Sequence, residues 1–157
     1  TMKIIKFIIT VPFLILLISS CSYQKMNSID QKKFHIQEFE ISGDKRDSFV
    51  IQKKILRFSN ENSINKIKIL INLKRNKSIK EKNIQNKVVK YDLTLMAEVT
   101  IIELNTTKEI KRVFTANETY NVDDSYSNTV NNSKAANNSL IDRIVDEILD
   151  QLRIYYS

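Results

Sequence analysis

The chain contains one cysteine, one histidine, one glycine, one proline and no tryptophan in 157 residues. A lone cysteine cannot form an internal disulfide, so cysteine pairing gives no indication of the compartment. A lone glycine excludes a glycine-rich phosphate-binding loop, and turns must be built from Asn, Asp, Ser and Thr. The only histidine, His35, falls in a predicted strand with no nucleophile near it in sequence. These absences predict a protein that is not an enzyme and that carries no cofactor and no metal.

The N-terminal residues have the pattern of an export signal. Two early lysines precede a twelve-residue, mostly apolar stretch over residues 7–18. A helix of that length is too short to span a bilayer, which needs roughly 20 apolar residues, but it matches the hydrophobic region of a secretory signal. The small side chains of Ser19 and Ser20 then precede Cys21, as a signal peptidase requires next to the bond that it cuts.

The segment Ile18-Ser19-Ser20-Cys21 resembles the lipobox of bacterial lipoproteins. The resemblance implies that Cys21 becomes the first residue of the mature protein and carries a thioether-linked diacylglycerol. Ser22 is not the aspartate that retains such proteins at the inner membrane, which implies the periplasmic side of the outer membrane. The alternatives are a plain secretory signal with a stray cysteine, or an N-terminal membrane anchor. We interpret residues 1–20 as a signal peptide, 21–32 as a lipidated N-terminus and linker, and 33–157 as one domain.

Hydrophobic periodicity predicts the elements of that domain. Residues 34–41 alternate like a strand, with a slip near Glu38 that is typical of a β-bulge. Segments 64–76, 89–104 and 109–121 alternate as three further strands, the last two forming a hairpin. The predicted sheet therefore has about four strands.

Two helices complete the prediction. After Gly43, Asp47 or Ser48 can cap a helix that places Ile51, Ile55 and Phe58 on one face. The adjacent Asp123 and Asp124 are interpreted as a loop entry or helix cap. A second helix from about Thr129 carries a broad apolar stripe of Ile141, Ile144, Val145, Ile148, Leu149 and Leu152. The order predicts an α+β two-layer sandwich, a mixed sheet covered on one face by two helices.

Charge is polarised along the chain. Within residues 74–90, seven basic side chains oppose only Glu81, whereas residues 123–150 are net acidic. We expect the basic segment to lie in the turn between two strands and to form a positive tip that attracts polyanions. No aromatic residue is interleaved with these lysines to stack on bases, which argues against nucleic acid. The remaining candidate ligands are an anionic lipid headgroup and a phosphorylated glycolipid. The alternative is that the lysine-rich loop binds no ligand and only confers solubility.

The whole pattern resembles the lipopolysaccharide-assembly lipoprotein family, LptE. Lys90-Tyr91-Asp92-Leu93 stands where that family opens its second long strand, and Tyr120-Asn121-Val122-Asp123-Asp124-Ser125-Tyr126 matches its next loop. The resemblance implies a plug inside the outer-membrane β-barrel LptD that assists barrel assembly and binds lipopolysaccharide. From charge alone, the lipopolysaccharide-binding candidates are Lys74, Arg75, Lys77, Lys80 and Lys82. An auxiliary lipoprotein of another envelope complex, such as a lipid transporter or a secretion pilotin, is the alternative. A lipid-anchored hydrolase would need a nucleophile paired with a base.

Overall fold

The computed structural model describes residues 33–156, so the predicted signal peptide, Cys21 and the linker lie outside the described residues. Four strands and two helices follow in the predicted order: β1 (His35–Ser42), α1 (Lys45–Leu56), β2 (Lys66–Lys82), β3 (Val88–Glu103), β4 (Glu109–Asn121) and α2 (Tyr126–Tyr155).

The strands form one sheet in the order β1-β2-β3-β4, in which β1 is parallel to β2 and the other pairs are antiparallel. The parallel pair arises because α1 carries the chain back between β1 and β2. The register of β1 slips between Ile36 and Glu38, which confirms the bulge expected from the broken alternation. The predicted mixed sheet and the α+β sandwich are confirmed.

The core lies between one face of the sheet and the two helices. Alternate residues of β2 and β3 are buried there, and the apolar stripe of α2 packs against them, as its periodicity predicts. The other face of the sheet has no helix over it within residues 33–156, and it carries mainly Lys, Glu, Thr and Asn side chains from β2, β3 and β4. The sheet therefore has one apolar face and one polar face.

The start of α1 differs from the prediction. Asp44 is the N-cap, and its Oδ1 accepts hydrogen bonds from the amides of Asp47 and Arg46 at 3.1 and 3.0 Å. The bond from Asp47 and then the bond from Arg46 lower the pKa of the Asp44 carboxyl. Gly43, at φ +127°, turns the chain out of the sheet so closely over Leu73 that an added Cβ would lie 2.8 Å from its carbonyl oxygen. The helix thus begins before the expected caps, and Asp47 is buried.

The second helix begins at Tyr126, three residues before the expected Thr129. Asp123 organises its entry, since its Oδ1 accepts from the Ser125 amide at 2.8 Å and from Asn128 Nδ2 at 3.2 Å. The backbone amide of Asp123 in turn donates to Thr129 Oγ1 at 2.8 Å. The interpretation of Asp123 as a loop-entry residue is therefore confirmed, and the N-cap of the helix is Ser125. No helix within residues 33–156 is long and apolar enough to cross a membrane.

Candidate functional site

All five candidate lysine and arginine residues lie on a strand, which continues past Asn76 to Lys82 where a turn was expected. Pairing of β1 with β2 ends at Asn72, and β2 continues to Lys82 with only β3 beside it. We call residues 73–82 the basic half of β2; all five candidates, Lys74, Arg75, Lys77, Lys80 and Lys82, fall within it. The turn is confined to residues 83–87. The prediction of a basic turn was wrong because the alternating pattern weakens where both faces of β2 become exposed.

Asparagine chemistry closes this long hairpin. Asn83 Oδ1 accepts from the amides of Gln85 and Lys87, both at 3.0 Å. Asn86 takes a positive φ of 62°, a conformation that glycine or asparagine adopts at low cost. Asparagine therefore takes the place that glycine commonly has in such a turn. Strands β2 and β3 extend up to this turn.

The period of the strand divides the candidates between the two faces of the sheet. Arg75 and Lys77 share the side of Leu73, which faces the helices, and Lys74 and Lys80 point to the polar face. Lys82 follows two register shifts at the tip. The five side chains therefore do not form one positive tip.

On the polar face, the candidate lysines have carboxylate partners. Lys74 forms an ion pair with Glu98. Lys80 Nζ lies 3.1 Å from Asp92 and donates to Thr119 Oγ1 at 2.8 Å. A hydrogen bond from Thr119 and a second one from Lys80 lower the pKa of Asp92. The bonds that Glu98 accepts from Lys74 and Asn72 likewise lower the pKa of its carboxyl. Much of the charge of these two lysines is balanced locally.

On the helix side, Arg75 has a structural role. Its guanidinium forms an ion pair with Asp47, whose side chain is almost fully buried, while the Arg75 side chain keeps one-third of its surface exposed. Asn137 Nδ2 of α2 donates to the other oxygen of Asp47 at 3.4 Å. The cluster joins α1, β2 and α2, and it could not be predicted from the sequence because its members are separated by 28 and 90 residues.

Lys77 lies on an aromatic surface. Its Nζ is 3.8 Å from the centroid of the Tyr91 ring and 5.4 Å from that of Tyr120. The two rings stack with centroids 5.5 Å apart. Lys82 donates to Asn86 Oδ1 at 3.1 Å. Among the candidates, only Lys77 and Lys82 make no ion pair with another residue in the described part of the chain.

The two tyrosines were not among the candidate residues. The alternation of β3 did place Tyr91 inward, and its pairing with Tyr120 follows from the register of the hairpin. The inward-facing positions of β3 and β4 are therefore the sequence signal from which the Tyr91–Tyr120 surface could have been predicted.

His35 does meet a hydroxyl group, from a residue distant in sequence. Its Nδ1 lies 3.4 Å from Ser59 Oγ, which also accepts the Ile36 amide at 2.9 Å. Within residues 33–156, no carboxylate bonds to the His35 ring. A Ser–His pair at this distance lacks the third group that orients the base in hydrolytic triads. No group of three His, Cys, Asp or Glu side chains in these residues is arranged to hold a metal ion.

The fold is shared with lipoproteins of known structure. No family model and no curated protein sequence matches the chain. The structure of rare lipoprotein B from Shewanella oneidensis superposes with a TM-score of 0.59 at 13% identity, over 75% of this chain and 92% of that one. Uncharacterized lipoprotein B from Nitrosomonas europaea gives 0.55 at 13% identity, over 85% of this chain and 92% of that one. The chain therefore shares its α+β fold with these two lipoproteins.

Proposed function

We propose that the chain is an outer-membrane lipoprotein that occupies and helps to assemble the LptD β-barrel and binds lipopolysaccharide during its transport. Cys21 is the lipidation site of this protein. The protein acts without catalysis, and it faces the periplasm. The observation that carries the proposal is the likeness of fold to two lipoproteins, which extends over at least three-quarters of this chain. The lipobox residues and the resemblance to the LptE family support it independently.

The phosphate groups of lipopolysaccharide would meet Lys77 and Lys82 first. Lys74 and Lys80 are already ion-paired, and Arg75 holds the buried Asp47. A phosphate that bound those residues would have to displace an existing carboxylate. Lys77 and Lys82 offer ammonium groups without that competition, and the Tyr91 ring fixes the position of Lys77.

The partner is tested by affinity purification. The tagged full chain is recovered from detergent-solubilised outer membranes, and the proteins that accompany it are identified by mass spectrometry. A large β-barrel in roughly equal amount is the expected result. Recovery of inner-membrane transporter or secretion subunits would favour the alternative, an auxiliary lipoprotein of another envelope complex. Recovery of the bait alone would contradict both.

Lipopolysaccharide binding is tested by charge reversal. The Lys77→Glu/Lys82→Glu double variant should bind purified lipopolysaccharide at least about tenfold more weakly, because a hydrogen bond to a charged group contributes roughly 1.5–3 kcal/mol. The control is Lys53→Glu/Lys134→Glu, which changes the net charge equally at exposed helix positions. Equal weakening by both pairs would mean that only overall charge matters, and no weakening by either would exclude this site.

A further inference from the structure

One end of the domain gathers the start of the described chain and the ends of both helices. The Asn60 amide, just after α1, donates to the Phe34 carbonyl at 2.9 Å, and the Phe34 ring lies 5.9 Å from that of Tyr156 after α2. The Leu104 amide, between β3 and β4, donates to the Lys66 carbonyl at the start of β2 at 2.9 Å. We call this the tether end; it comprises residues 33–34, 56–66, 103–108 and 153–156.

The tether end exposes large apolar side chains. Ile64 is 83% exposed, Ile154 71%, Leu56 39% and Tyr155 37%. Asn105 Nδ2 donates to the Ile64 carbonyl at 2.7 Å, and Lys108, in the same turn, places its Nζ 5.4 Å from the centroid of the Tyr155 ring. Single exposed apolar residues are ordinary, but four at one end of a domain form a surface that requires an explanation.

The charged neighbours suit a lipid surface. Lys33, Lys66 and Lys108 are exposed at this end, and the acidic groups there are Glu61 and Glu103. Burial, and then the nearby Glu103 carboxylate, raise the pKa of Tyr156 to about 12, so this phenol stays neutral. Aliphatic side chains beside tyrosine and lysine are characteristic of segments at a membrane–water interface, where the lysine ammonium groups reach the phosphates.

The length of the preceding chain determines which end can meet the anchoring bilayer. Lys33 is 12 residues beyond Cys21, a segment that extends to at most about 43 Å. The 17 residues of β2 run from the tether end to the hairpin tip over roughly 55 Å. A domain anchored through Cys21 therefore cannot stand on its hairpin tip. It can stand on the tether end, or lie on a long side.

We infer that, before the lipidated chain enters the barrel, the tether end lies against the phospholipid surface, with Ile64, Ile154 and Tyr155 in the interfacial layer. This inference rests on the proposed lipidation of Cys21 and goes beyond it, because it assigns the orientation of the domain and a second lipid contact. Acyl chains alone would anchor the chain and leave the domain free to tumble. The apolar tether end orients it, so that the basic half of β2 points away from the bilayer.

The absence of tryptophan makes the test direct. Single reporters are introduced at the tether end, Ile64→Trp and Ile154→Trp, and at two matched exposed positions elsewhere. These controls are Ile84→Trp at the hairpin tip, where the side chain is 103% exposed, and Phe49→Trp on the side of α1, 64% exposed. Each full-length lipidated chain is reconstituted into phosphatidylethanolamine–phosphatidylglycerol vesicles whose acyl chains are brominated, and mass spectrometry records the modification of Cys21.

We expect the fluorescence of the two tether-end tryptophans to be largely quenched and its emission maximum to shift to shorter wavelength. The fluorescence of Ile84→Trp and of Phe49→Trp should be the same as in unbrominated vesicles. Quenching of Phe49→Trp alone would show the domain lying on α1 and overturn the inference, as would equal quenching of all four or of none. An unmodified Cys21 would also overturn it, together with the anchoring part of the proposed function. Recovery of the β-barrel without tether-end quenching would overturn this inference alone.

Discussion

Arg75 should contribute more to stability than to ligand binding, and the structure gives the size of the effect. Replacement by methionine keeps the aliphatic stem and leaves the buried Asp47 carboxylate without its cation. Removal of one partner of a buried ion pair costs about 3–5 kcal/mol. Arg75 is one-third exposed and Asn137 still donates to Asp47 at 3.4 Å, so water and the amide recover part of the loss. We therefore expect the free energy of unfolding of Arg75→Met to fall by about 3 kcal/mol, the lower end of that range.

A double variant separates the energy of the Arg75–Asp47 ion pair from the effects of each substitution alone. Asp47→Asn removes the buried charge, so Asp47→Asn/Arg75→Met should lie within about 1 kcal/mol of the parent chain. The corresponding coupling free energy should be at least ~1.5 kcal/mol. Urea denaturation of the chain from Ser22 onward, followed by far-UV circular dichroism, measures all four proteins, and an unchanged dependence on urea validates the comparison. A loss below about 1 kcal/mol for Arg75→Met would refute the assignment and return Arg75 to the ligand candidates.

Three further predictions concern stability. Gly43→Ala should lower the free energy of unfolding by about 2–3 kcal/mol in urea denaturation, because alanine is strained at φ +127° and its Cβ meets the Leu73 backbone. Ser48→Ala should leave that free energy unchanged or raise it by up to ~1 kcal/mol, because the buried Oγ has no hydrogen-bond partner within residues 33–156; a clear loss in the same assay would reveal an unseen bond. The lowered pKa values of Asp92 and Glu98 should stabilise the fold fully above the unfolded values of 3.8 and 4.5, and this contribution should disappear as the pH falls through the lower folded values. In Glu98→Gln, the thermal unfolding temperature should therefore depend less on pH between 4.5 and the lower folded pKa of Glu98. An unchanged pH dependence would contradict the stabilising role of the Glu98 carboxylate.

Local pattern was enough for the elements of the fold. Alternation in β2 and β3 and the apolar stripe of α2 reflect periods of two and 3.6 residues, which are properties of the backbone and need no knowledge of distant partners. The bulge at Glu38 was readable for the same reason, since a slip in alternation is itself local. Once these elements carried one apolar face each, the two-layer arrangement was the stable way to bury them.

The helix start and the state of the charges required the tertiary structure. Asp44, Asp47 and Ser48 are all good caps by residue type, and only the structure shows that Asp44, directly after the turn at Gly43, caps α1. A formal charge says nothing about its partner across the sheet, so Arg75 and Lys77 looked alike in sequence although one holds a buried carboxylate and the other lies on tyrosine rings. Periodicity by itself determined the class of fold, and the resemblance of residues 18–21 to a lipobox implied the predicted anchor. Only the packing of distant segments decided which basic groups are paired and which apolar groups share the tether end, because pairing energies depend on distances that sequence separation does not specify.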